Sequence, residues 1–194
     1  MLSAEPGQRY SGALLGRDLA ARPLPRTRLV VIDNITTSQS LSSEGSLGVA
    51  RATLDAAIDL ARAKTPQALK AMRDNNAVQG LIGRTEASLR AARAYLYATA
   101  AEVWRDLLRG EATTEAHRVA LRIATTWTIH QSAAVVDAAY HMAGATAVFN
   151  ANKFERRFRD MHAIAQQIQG RDAHYEDAGK AILSGNLDTP PTMR

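Results

Sequence analysis

NAVQGLIGRTEASLRAARAYLYATAAEVWRDLLR, Asn76–Arg109, decides the fold class. Val78, Leu81, Ile82, Leu89, Ala92, Leu96, Val103 and Leu107 recur every three or four residues, the period of one helix face. Gly110 is a natural stop. Downstream, Thr113 or Thr114 caps a further helix, with Glu115 placed for the helix dipole. Its stripe reads Val119, Ile123, Trp127, Ala134, Ala138 and Met142, up to Gly144. Upstream, Leu47, Ala50, Leu54, Ala57 and Ala61 mark another helix, broken at Thr65-Pro66 because the residue before proline avoids helical backbone. A fourth helix carries Phe154, Phe158, Met161, Ala165 and Ile168, and a short fifth Tyr175, Ala178 and Ile182. Two of the helices exceed thirty residues, roughly 45 Å or more. Joined by short links, such helices predict an all-α fold, an antiparallel up-down four-helix bundle with a short fifth helix.

The bundle occupies residues 36–185, with a tail over 186–194. Residues 1–35 differ in texture. They hold Pro6, Pro23 and Pro25 with Gly7, Gly12 and Gly16, and one short strand, Arg28–Ile32, ended by Asp33-Asn34. A lone strand cannot pair its own edges, so this arm reads as a remnant of a larger sheet. Many stripe positions are alanine, and alanines spread onto flanking faces. That extra apolar surface predicts a homo-oligomer, dimer or tetramer; the alternative is an alanine-rich composition.

The 194 residues carry 46% hydrophobic residues, enough for a core, and a net charge of +5 without a basic block. Nucleic acid is therefore not an expected partner. With no cysteines, a disulfide scaffold, a thiol nucleophile and Cys-ligated metals are excluded. No segment has the apolar length of a signal peptide core or membrane helix, so no membrane is expected and a cytoplasmic location fits.

A four-helix bundle raises the question of a di-iron centre, which needs Glu-x-x-His on two helices. Every glutamate tested fails: Glu86, Glu102, Glu115 and Glu155 are followed three residues later by Leu89, Arg105, Arg118 and Phe158. His117, His130, His141, His162 and His174 are scattered singly, so no metal site is expected. His130 reads as a hydrogen-bonded core histidine. There is no glycine-rich phosphate loop. The polar cluster that remains is FERRFRDMH, Phe154–His162. Its arginines oppose the dipole of their own helix. Either Glu155 and Asp160 compensate them, or a phosphate-bearing ligand or a partner's carboxylate does.

Several segments then carry a resemblance. FERRFRDMHAIAQQ, Phe154–Gln167, resembles the last long helix of the acyl-CoA dehydrogenase superfamily, and AGATAVF, Ala143–Phe149, the glycine turn before it. Asn75–Tyr97 and Gly48–Lys64 resemble its second and first bundle helices, and Ala21–Thr37 the closing strand of its middle β-domain. The closest branch includes flavin-dependent monooxygenases. The resemblance implies FAD or FMN as cofactor, bound between the β-domain and the bundles across a subunit interface, with Gln79, Gly144 and Arg159 near the flavin and the Arg159–Gln167 helix beside the reaction chamber. It also implies that this chain is the bundle alone, truncated and inactive unless a separate chain supplies the other domains. Two departures stand out. The catalytic glutamate of the dehydrogenases, in a Glu-Gly step, is matched by Gln169-Gly170, and the monooxygenase histidine eight residues after the arginine by Gln167. A glutamine transfers no proton near neutral pH, which leaves His162 as a substitute catalytic group. The alternative is a non-catalytic oligomerisation or partner-binding bundle.

Overall fold

The computed structural model describes residues 38–65, 71–149 and 151–184. The N-terminal arm with its strand, Pro66 and the tail lie outside the described residues. Among the described residues five α-helices follow in order: α1 Ser38–Ala63, α2 Asn76–Leu108, α3 Glu115–Ala143, α4 Phe154–Ala165 and α5 Ala173–Ser184. Short 3-10 turns stand at Met72–Asp74, Gly144–Val148 and Ile168–Gly170, and the described residues contain no strand.

Local chemistry sets the ends. The Asn75 side chain accepts from the backbone N–H groups of Ala77 and Val78 and starts α2. Of the two candidate threonines, Thr114 is the cap: its hydroxyl accepts from His117 N–H while His117 Nδ1 accepts from Thr114 N–H. Gly144 closes α3 at φ 57° and ψ −137°, backbone that a side chain would strain. Nothing stands within 4 Å of a Cβ built there, so conformation rather than space selects glycine.

Helix directions follow from the cross-helix contacts. Tyr97 reaches Glu44 and Arg51 reaches Glu86, so α2 runs back along α1. Thr128 donates to Ala92 O and His117 meets Asp106, so α3 runs back along α2. Asp137 meets His162, and Phe154 packs with Ala143 and Ala147, so α4 runs back along α3. Helix α3 is the centre, packed against all four others.

The main core joins Leu47, Ala50 and Leu54 of α1, Leu89, Ala92 and Leu96 of α2, Ile129, Val135 and Val136 of α3, and Met161 of α4. Burying each large apolar side chain contributes about 1.5–3 kcal/mol. Beside it, Ala57, Ala139, Ala143 and Ala147 close around Phe154, where only small side chains let the backbones approach.

The expected α1 stripe is buried at all five positions. The expected α3 stripe is rotated. Trp127 is 41% exposed and Ala134 is exposed, whereas Thr126, Thr128 and Ser132 are fully buried. Their hydroxyls find partners: Thr126 donates to Gln169 O at 2.9 Å, Thr128 to Ala92 O at 3.3 Å, and Ser132 to Ser46 Oγ at 3.2 Å, because the Ser46 proton goes to Ser43 O at 2.7 Å. A satisfied hydroxyl costs little to bury, so the inner face of α3 is partly polar.

Candidate functional site: the α4 segment and its anchors

Helix α4 buries Phe154 and Met161 and turns Arg156, Arg159 and Asp160 outward. Its arginines find partners within the chain. Arg159 pairs with Glu155 at 2.7 Å, Arg156 with Asp160 at 3.7 Å, and Arg157 donates to Ala52 O at 2.9 Å. Of the two sources of compensation, the intrahelical carboxylates are therefore in place. Such exposed pairs contribute at most about 1 kcal/mol each.

His162 lies against α3. Its Nε2 is 2.9 Å from Asp137 Oδ1, and its ring centroid is 4.3 Å from that of Phe158. A carboxylate only accepts, so Nε2 carries a proton and the neutral ring keeps its lone pair at Nδ1. Asp137 is a partner that the sequence did not reveal: it lies 25 residues away and belongs to no motif.

Gln167 lies beyond the end of α4, at the start of the next 3-10 turn, and is exposed. Its Oε1 accepts from Ser42 Oγ at 3.2 Å, which joins it to α1. His162 and Gln167 thus reach different helices. The turn that follows is tightly fixed. Gly170 is buried, and a Cβ there would sit 2.4 Å from Ala165 O. His130 Nε2 lies 2.8 Å from Gly170 O, so the histidine expected to be hydrogen-bonded is so, half-buried rather than within the core.

Gln79 and Gly144 lie at the other end of α4. Gln79 is exposed in the first turn of α2, and its amide donates to Arg73 O at 2.8 Å. The turn begun by Gly144 is tied to the end of α1 by Lys64 Nζ and Thr146 Oγ1, 2.6 Å apart. Helix α4, with 12 residues, separates this end from Gln167 by roughly 18 Å. Gln79 and the Gly144 turn thus lie at one end of α4, and Gln167 at the other. A cavity of about 380 Å³ lies elsewhere, lined by Glu102, Arg105, Asp106 and His117 between α2 and α3. No group of three or more potential metal ligands occurs among the described residues, and no described helix is long and apolar enough to cross a membrane.

The sequence pattern described as "Acyl-CoA dehydrogenase, C-terminal domain" matches residues 41–170, from α1 to the Gly170 turn. The chain belongs to this family. Its helices superpose on XiaF from Streptomyces sp., a structure in complex with FADH2 and glycerol, with a TM-score of 0.72 at 16% identity. That match covers 82% of this chain and 41% of XiaF. The 3-HSA hydroxylase from Rhodococcus sp. RHA1 gives 0.68 at 21% identity, over 82% of this chain and 40% of the other. In sequence, an indole-3-acetate monooxygenase from Pseudomonas putida is 29% identical over 154 residues, 79% of this chain and 39% of the relative. One from Acinetobacter baumannii is 28% identical over 108 residues, 56% of this chain and 27% of the relative. The chain thus spans about two fifths or less of these relatives. The family expected from the residues alone is the family found.

Proposed function

We propose that this chain is the C-terminal helical domain of an acyl-CoA dehydrogenase-like flavin-dependent monooxygenase. In this reading α1 to α4 form an up-down four-helix bundle with α5 laid against α3. The observation that carries it is the family match over residues 41–170, supported by relatives that are indole-3-acetate monooxygenases and by a similar fold in XiaF with FADH2. Those relatives favour an aromatic substrate.

The flavin, FAD or FMN, would supply the redox and oxygen chemistry when bound. Gln79, the Gly144 turn and Arg159 would border it, and Gln167 and His162 would face the chamber. Because Gln79 and the Gly144 turn lie roughly 18 Å along α4 from Gln167, surfaces outside the described residues would complete the site. Gln167 can orient a polar group but cannot move a proton near neutral pH. His162, held through Nε2 by Asp137, keeps an acceptor at Nδ1 and is the group able to take one.

Assembly into a dimer or tetramer is part of the same proposal. Val148 and Phe149, beside the Gly144 turn, are 66% and 64% exposed, and Leu183 of α5 is 89% exposed. Apolar surface of this kind marks contact sites where it is contiguous.

Purified as this 194-residue chain alone, the protein should show no saturable binding of FAD at micromolar concentration, because tight binding requires a ligand buried on most sides. The same preparation should scatter light as a species larger than the 21.0 kDa monomer. Stoichiometric flavin retained after desalting would overturn the incomplete-site reading, and a monomer would overturn the assembly.

A further inference from the structure

Helix α5 is fastened to α3 by a polar contact that the flavin reading does not use. Thr126 Oγ1 of α3 lies 2.9 Å from both Gln169 O and His174 Nδ1. A threonine has one proton to give, and the carbonyl can only accept. The hydroxyl therefore donates to Gln169 O and accepts from His174 Nδ1–H. One turn along α3, His130 gives its Nε2–H to Gly170 O, and its Nδ1 lone pair accepts from the Tyr175 hydroxyl at 3.3 Å. The two rings stand 5.6 Å apart, tilted by 59°. One apolar residue of α5, Ala178, is buried, while Ile182 and Leu183 are 60% and 89% exposed. This polar latch is thus a large part of what seats the helix.

The geometry points to α5 as a pH-sensitive strap, seated on α3 while His130 and His174 are neutral and released when they gain protons.

The two histidines act differently. A proton on His130 Nδ1 removes the lone pair that receives the Tyr175 hydroxyl. A proton on His174 leaves the Thr126 bond intact but places a cation in a partly buried site. Burial first, then the Arg122 charge on α3, hold the His174 pKa below its ordinary value, with Arg171 adding to them. The groups facing this pair are Arg122 from α3, Tyr95 from α2, Arg171 and Asp172 from the preceding turn, and Tyr175 and Asp177 on α5 itself. The Gln169 backbone and Asp177 act the other way at His174, without reversing the direction, while Asp172, 3.9 Å from His130, is 87% exposed and screened by solvent. Because the folded value at His174 is depressed, its contribution is whole above about pH 6.5 and is lost as pH falls below that.

Amide hydrogen exchange on the intact chain tests this at about pH 7.5 and about pH 5.5, corrected for intrinsic rates, with residues 89–103 of α2 as the internal reference. Residues 173–184 should lose protection relative to that reference at the lower pH. In the double variant His130→Gln, His174→Asn, each amide can keep a donor to Gly170 O or Thr126 but does not titrate. The strap should then stay equally protected at both pH values. Unchanged wild-type protection of 173–184 on acidification would overturn the proposal without any variant. An equal pH-dependent loss in a folded double variant would also overturn it.

Discussion

Gly170→Ala should destabilise the chain by about 3 kcal/mol, the upper part of the range for overpacking a buried site. The added methyl would lie 2.4 Å from Ala165 O and 3.1 Å from the same residue's carbonyl carbon. Both are backbone atoms at the end of α4, so no flexible side chain can move aside. Relief requires the Ile168–Gly170 turn to lift away from α4. The same movement would pull Gln169 O from Thr126 and Gly170 O from His130, leaving a fully buried hydroxyl with one partner fewer. Urea unfolding followed by circular dichroism would register this as a lower midpoint with little change in slope. An unchanged midpoint would mean that the turn is looser than described.

The second large effect is on rate. General acid–base groups contribute roughly 10²–10⁴ in turnover. If position 167 is where the monooxygenase branch carries its proton-transfer residue, Gln167→His should raise turnover within that range in an assembly that holds flavin. Its cost in stability should be small, below about 1 kcal/mol, because Gln167 is exposed and loses at most one bond to Ser42. Rapid turnover with glutamine still at 167 would assign the proton to His162. Asp137→Asn would then slow turnover, since the carboxylate that orients the ring through Nε2–H would be gone.

How far the sequence carried the fold depends on the helix. In α1 the apolar residues occur at one spacing, and Leu47, Ala50, Leu54, Ala57 and Ala61 all proved buried. In α3 the same method tracked Trp127 and Ala134, which face outward, because hydroxyl residues occupy much of the true inner face. A threonine in a helix reads as polar until the carbonyl that receives it is known. For Thr126 that carbonyl is 43 residues away, on Gln169. The family resemblance nominated residues for a candidate site but gave none of their partners. No carboxylate lies between Asp160 and Asp172 in the chain, whereas the one that meets His162 is Asp137 on α3. Gly170 is an intermediate case. Its pairing with Gln169 drew attention as a departure from the dehydrogenase pattern. Its steric role depends on how the chain folds back on Ala165 and appears only in three dimensions.

The central claim is that the described helices, α1 to α5, are one part of a flavin site that other surfaces complete. A chimera tests it most directly. Residues 36–194 of this chain would replace the matching C-terminal part of the Pseudomonas putida indole-3-acetate monooxygenase, and flavin would be measured in the purified, desalted protein. The account predicts a folded oligomer that retains flavin, while the 194-residue chain alone retains none. A folded chimera without flavin, or flavin held stoichiometrically by the chain alone, would contradict it.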